Sequence, residues 1–122
     1  MSVPRIAVTP GEPAGIGPDV LLTAAMHDRD AQLVAIADPT MLAERAAALG
    51  ITVELPIFDS NATAQHHRQG VLPVQQVATA QPVIAGQLDA RNAPYVLETL
   101  RQAVHGCQAG TFQAMATGPV QK

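Results

Sequence analysis

The first fifty residues alternate between two hydrophobic periods, and that alternation leaves few folds open to the chain. Arg5-Ile6-Ala7-Val8-Thr9 is a short β-branched run stopped by Pro10-Gly11, the pattern of a strand that ends at a turn. After Gly17-Pro18, the segment Asp19 to His27 carries Val20, Leu21, Ala24 and Ala25 at helical spacing. Pro18 suits the first helical turn, where a missing N–H costs nothing, and Asp19 complements the positive end of the helix dipole. Gln32 to Ala37 reads as a second strand, and Asp38 or Thr40 can cap a helix through Leu49 that stops at Gly50. Strand, helix, strand, helix in that order predicts an α/β fold.

Further along, Ile51-Thr52-Val53-Glu54-Leu55 alternates like a third strand, and periodicity then fades through residues 59–70, read as an exposed loop. Val71 to Val77 fits an edge strand, because Pro73 removes a ladder donor. From Asp89 the chain turns helical, with Tyr95, Val96, Leu97, Leu100, Ala103 and Val104 as the apolar stripe and Gly106 or Gly110 as the stop. Phe112 to Ala116 is a short apolar strand that runs into Thr117-Gly118-Pro119-Val120-Gln121-Lys122. A chain of 122 residues is long enough to make one ordinary domain. Two Phe, one Tyr and no Trp suit helices and buried strands better than an aromatic-rich β-sandwich.

Charge and cysteine content exclude several classes. A net charge of -3 with scattered Lys and Arg offers no basic stripe for a nucleic acid. No apolar run approaches the ~20 residues needed to cross a bilayer. A lone Cys107 cannot form an internal disulfide, and Met1-Ser2-Val3-Pro4-Arg5 lacks the apolar core of a secretory signal. A cytoplasmic protein with no membrane and no nucleic-acid partner is expected.

Two loops carry chemistry. Glycines 11, 15 and 17 stand between a strand and a helix, where backbone N–H groups and the helix dipole can face an anion. The spacing is neither G-x-G-x-x-G nor a P-loop, so by itself it serves a structural turn as well as a ligand loop. Thr117, Gly118 and Lys122 could offer a hydroxyl, a close backbone and an ammonium to a phosphorylated or carboxylated substrate. Taken alone, a tight turn with a solvated Lys is the commoner use. His27, His66, His67 and His105 make no His-x-x-x-His pair, so a self-contained metal site is not expected and solvated or dipole-pairing roles are. Cys107 reads as an ordinary thiol, Glu98 and Arg101 as a surface pair, and Asp89, Arg91 and Asn92 as capping residues.

Three blocks, Arg5 to Asp19 (RIAVTPGEPAGIGPD), Gly86 to Leu100 (GQLDARNAPYVLETL) and Cys107 to Lys122 (CQAGTFQAMATGPVQK), together resemble the N-terminal third of the 4-hydroxythreonine-4-phosphate dehydrogenases. The resemblance implies a three-layer α/β fold similar to that of the isocitrate and isopropylmalate dehydrogenases, with residues 1–122 as the N-terminal portion of a larger two-domain subunit. It implies a homodimeric enzyme of vitamin B6 biosynthesis that uses NAD (or NADP) and a divalent zinc, magnesium or cobalt ion. The substrate would be 4-phosphohydroxy-L-threonine, oxidised at its C3 hydroxyl. Metal bound to that hydroxyl would lower its pKa and stabilise the enolate left as CO2 departs, giving an aminoacetone phosphate.

Carried over by motif, Gly11, Glu12, Gly15 and Gly17 are the cofactor-side residues, and Thr117, Gly118 and Lys122 border the substrate cleft. Gln121 departs from the His usual in the Thr-Gly-Pro-Val-x-Lys motif. The family's metal-binding histidines and its phosphate-holding His-Thr pair match nothing in residues 1–122. No catalytic and no metal residue is therefore assigned here, and the segment is expected to be inactive alone. Two alternatives stand beside this reading. One is a paralogue acting on a four-carbon sugar-acid phosphate or a dihydrodiol carboxylate; the other is a non-catalytic α/β module that binds a nucleotide or phosphate.

Overall fold

A computed structural model describes residues 3–80 and 83–118. Its elements follow the expected alternation: β1 (Arg5–Thr9), α1 (Gly17–Ala24), β2 (Gln32–Ala37), α2 (Pro39–Leu49), β3 (Val74–Gln76), α3 (Ala93–Gln108) and β4 (Ala114–Thr117). The strands form a parallel sheet in the order β3-β2-β1-β4. α1 and α2 cover one face through Leu21, Leu22, Met41 and Leu42 against Ala35 and Ala37. α3 covers the other through Tyr95, Val96 and Ala103 against Ala7, Val34 and Ile36. β2 thus buries alternate residues on opposite faces, which explains its continuous apolar run and makes three layers.

The strand order reverses beside β1. The chain moves outward through β1, β2 and β3, then α3 carries it back across the sheet so that β4 pairs on the far side of β1. In open parallel sheets such a reversal leaves a crevice at the carboxyl ends of the two strands, where ligands bind. Here those strands are β1 and β4, and the Thr9–Asp19 and Gly118 segments leave from that edge.

Local rules set several boundaries. Asp38 caps α2, its Oδ1 accepting from the N–H of Thr40 at 2.9 Å, and Gly50 closes the helix at φ 71°. The other Asp38 oxygen accepts from Thr79 N–H at 2.9 Å, so one carboxylate caps a helix and ties the chain after β3. Asp89 caps a 3-10 turn over Ala90–Asn92 that leads into α3.

Several expectations need correction. Ile51–Leu55 is not a strand of the sheet; the segment touches 71–74 through isolated parallel bridges, Glu54 with Val71 and Ile57 with Val74. Rungs form on both sides of Pro56, with Glu54 N–H on Gly70 O and Phe58 N–H on Val74 O, but Pro56 has no N–H to give the rung between them. The stripe of α3 is Tyr95, Val96, Thr99, Ala103 and Gly106, whereas Leu97 is 66% exposed and Val104 45% exposed. Of the two glycines expected as the stop, Gly110 follows the helix end at φ 81°, while Gly106 lies within α3, with the Phe112 ring packed where its side chain would be. Phe112 itself precedes β4 and is buried, stacked on Phe58 at a centroid distance of 5.7 Å. Finally, His67 is not solvated: it is 3% exposed, with Nε2 2.8 Å from the carbonyl of Ala25.

Candidate functional site

The crevice between β1 and β4 is built by close backbone approach. Thr9 and Thr117 are register partners, and the N–H of Gly118 donates to the carbonyl of Thr9 at 2.6 Å. Pro10 O lies against both Gly17 and Gly118, so a Cβ at either would collide with it. Gly17 is therefore the residue that lets α1 start directly against the end of β1. The space that a Gly17 side chain would take is filled by Pro10 O, so at this contact the glycine serves packing.

The other glycines of the loop differ. Gly11 has φ 79°, a left-handed conformation that L side chains rarely adopt. Gly15 has no positive φ, and a Cβ there would make only an ordinary 3.4 Å contact with Glu12 O. The Gly15 N–H donates to Glu12 O at 3.0 Å, closing a turn over 12–15. Two buried oxygens at this edge, Glu12 Oε1 and Thr9 Oγ1, have no partner among the described residues. Such groups are costly unless a polar group meets them.

The loop is clamped from α2. Arg45 is only 7% exposed; its Nη1 donates to Gly15 O at 2.9 Å and to Asp19 Oδ1 at 2.8 Å, and its Nη2 donates to Pro13 O at 2.7 Å. Asp19 was expected to favour the helix dipole, and it does stand in the first turn of α1, but its carboxylate also faces this guanidinium. Sequence reasoning passed over Arg45. The signal was a charge on the apolar face of α2, where Met41, Leu42 and Ala46 are buried around it.

The three blocks that carried the resemblance meet here. Gly86 of the second block donates its N–H to Ala14 O in the first at 2.9 Å, and Gly118 of the third bonds Thr9. A trough of about 840 Å³ opens beside the crevice, with Ile6, Val8, Val20, Pro10, Gly17 and Thr117 among its walls. Thr117 is exposed on its rim, while Lys122 lies outside the described residues. A second cavity of about 580 Å³ involves Asp28, Arg29, Asp30, His66 and Arg68 at the opposite end of the strands and does not touch the loop. Among the described residues, no group of three His, Cys, Asp or Glu side chains is placed to hold a metal ion.

Comparison with known proteins follows the same blocks. The family model of the pyridoxal phosphate biosynthetic protein PdxA matches residues 29–122. The 4-hydroxythreonine-4-phosphate dehydrogenase of Pseudoalteromonas translucida is 53% identical over 118 residues, covering 97% of this chain and 36% of its own. The enzyme of that name from Vibrio cholerae is 48% identical over 122 residues, 100% of this chain and 37% of its own. The chain therefore spans little more than a third of the length of these relatives. Among solved structures, the 4-hydroxythreonine-4-phosphate dehydrogenase of Burkholderia phymatum superposes with a TM-score of 0.87 at 22% identity, over 100% of this chain and 38% of that one. The one from Klebsiella pneumoniae gives 0.84 at 25% identity, over 98% and 38%. With the family model matched over most of its length, the chain belongs to the family of the pyridoxal phosphate biosynthetic protein PdxA.

Proposed function

We propose that this chain supplies the β1–β4 edge of an NAD-dependent 4-hydroxythreonine-4-phosphate dehydrogenase. In that reaction C3 of 4-phosphohydroxy-L-threonine would give up a hydride and its hydroxyl proton, and the resulting β-keto acid would lose CO2 to an enolate that takes a proton at carbon, giving an aminoacetone phosphate. The observation that carries the reading is the meeting of the three family-like blocks at the strand-order reversal, through Gly86 on Ala14 and Gly118 on Thr9. NAD, when bound, supplies the hydride acceptor.

The chain's own residues fit a share of ligand binding. Glu12 and Thr9 hold buried oxygens that a polar ligand group would satisfy, Gly15 leaves room for close approach, and Thr117 offers a hydroxyl on the rim. Lys122, by its motif, adds the ammonium for an anionic substrate group. The divalent zinc, magnesium or cobalt ion would be held by the family's metal-binding histidines, which match no position of this segment. The uncovered apolar wall of the trough, including Ile6, Val8 and Val20 at 60% exposure, suits burial by the additional length that the relatives possess. The same reading carries a homodimer and a cytoplasmic location. No helix among the described residues is long and apolar enough to cross a membrane.

The test is NADH formation by the complete gene product with 4-phosphohydroxythreonine and a divalent metal. Parallel assays use threonate phosphate and a dihydrodiol carboxylate. Turnover of the first substrate is expected; turnover confined to one of the others would replace this assignment with a paralogous one.

A further inference from the structure

Arg45 is buried in a place where an apolar residue would serve packing as well. Met41, Leu42 and Ala46 surround its position on the inner face of α2, all at most 4% exposed. A buried ion pair is weak support for stability, since desolvation offsets much of the Coulomb attraction and apolar replacements are often neutral. Two of the three groups that Arg45 binds are neutral carbonyls of the loop, Pro13 O and Gly15 O. What a guanidinium adds over a methionine there is direction: a planar fork that holds several acceptors in one geometry.

That direction has a consequence through the planar trans peptide, in which the C=O of one residue and the N–H of the next point opposite ways. With Pro13 O and Gly15 O drawn onto Arg45, the N–H groups of Ala14 and Ile16 are turned away from it. Neither N–H has a backbone or side-chain partner among the described residues, and Ile16, at 65% exposure, is at the surface. The Asp19 contact ties the first turn of α1 to the same guanidinium, so the turn over 12–15 and the helix start are held as one unit.

We propose that Arg45 is the positioning residue of the Thr9–Asp19 loop, orienting the 13–14 and 15–16 peptides so that their N–H groups and Glu12 stand ready for ligand. This rests on the reading that the loop faces the cofactor or substrate; the fixing of the loop itself does not. Arg45 itself touches neither ligand and acts only through the loop.

The experiment compares Arg45→Lys and Arg45→Met with Asp19→Asn in the complete gene product. Hydrogen exchange without ligand reads the loop directly, and KM is measured for NAD and for 4-phosphohydroxythreonine. Arg45→Lys keeps the charge but loses the fork, so exchange over residues 12–20 should rise while β1, β2 and the rest of α2 stay protected. KM for the ligand at the loop should rise about tenfold or more with kcat nearly kept, the pattern of lost binding shared by ground and transition states. Asp19→Asn should show the same pattern, smaller. A folded Arg45→Met with loop exchange and both KM values unchanged would overturn the proposal. So would failure of all three variants to fold, which would make the contact one of stability alone. A loosened loop with both KM values unchanged would keep Arg45 as the loop's anchor and sink the ligand-facing reading.

Discussion

Replacing Gly17 by Ala tests the packing of the crevice most directly. An added Cβ would lie 1.6 Å from Pro10 O and 2.8 Å from Pro10 C, both backbone atoms. A C···O contact relaxes near 3.3 Å, so β1 and α1 would have to separate by roughly 1.7 Å. Neither side can yield cheaply: Pro10 is fully buried, and its carbonyl also abuts Gly118. Overpacking of this kind costs about 1–3 kcal/mol, and two rigid backbones put Gly17→Ala at the upper end, about 3 kcal/mol. Gly15→Ala is the control from the same loop. Its Cβ would sit 3.4 Å from Glu12 O, and Gly15 is not among the glycines with positive φ. There the loss of unfolded-state freedom should leave stability unchanged or raise it by up to about 1 kcal/mol. Urea unfolding of the intact protein, followed by circular dichroism, reads both. With a slope of ~2 kcal/mol/M, Gly17→Ala should lower the midpoint by about 1.5 M and Gly15→Ala should not lower it. Equal midpoints for the two variants would refute the contact between α1 and Pro10 as the reason for a glycine at 17.

Other perturbations probe the rest of the fold. Burial pushes the Tyr95 hydroxyl up to about 12, while the hydrogen bond it accepts from Asp38 N–H at 3.1 Å acts in the opposite direction. The unfolded chain therefore loses this proton first. The stability is fully present below pH ~10 and falls by on the order of 2 kcal/mol as pH rises toward 12; Tyr95→Phe should remove that slope from unfolding midpoints measured across the range. Asp38→Ala removes the cap of α2 and the two bonds to Thr79, at 2.9 and 3.0 Å, and should cost about 2 kcal/mol, with exchange rising at Thr40, Met41 and Thr79; a loss under ~0.5 kcal/mol would contradict the cap. Leu42→Ala, at a side chain with 0% exposure between α1 and the sheet, should cost about 2–5 kcal/mol in denaturant unfolding, and a smaller loss would mean that this face collapses around the cavity.

Much of the architecture is legible from local sequence. β1 and β2 fall where their β-branched runs lie, and α2 begins after Asp38 and ends at Gly50 because capping and left-handed termination are properties of single residues. The Thr9–Asp19 loop, the Gly86 block and the Thr-Gly-Pro segment were legible as patterns as well. Each nonetheless reads as an ordinary turn without its neighbours. Failures arose where a distant contact overrode a local signal. Ile51–Leu55 alternates like a strand, yet Pro56 leaves a missing rung against 71–74. His67 sits in a polar stretch, yet its ring bonds Ala25 O, 42 residues away. Arg45 finds its three acceptors 26 to 32 residues earlier in the chain, out of reach of any local pattern on α2.

The sequence by itself determined the first four elements in their order, the α/β class and the three blocks that mark the family, since these depend on periodicity, caps and motif composition over a few residues. Only the tertiary structure decided that the strand order reverses between β1 and β4. The same is true of Gly17 and Gly118 sharing Pro10 O, and of a buried guanidinium on α2 holding the loop. The physical reason is that these contacts join segments 7 to 108 residues apart, and no local propensity encodes which backbone atoms will meet once both faces of the sheet are buried.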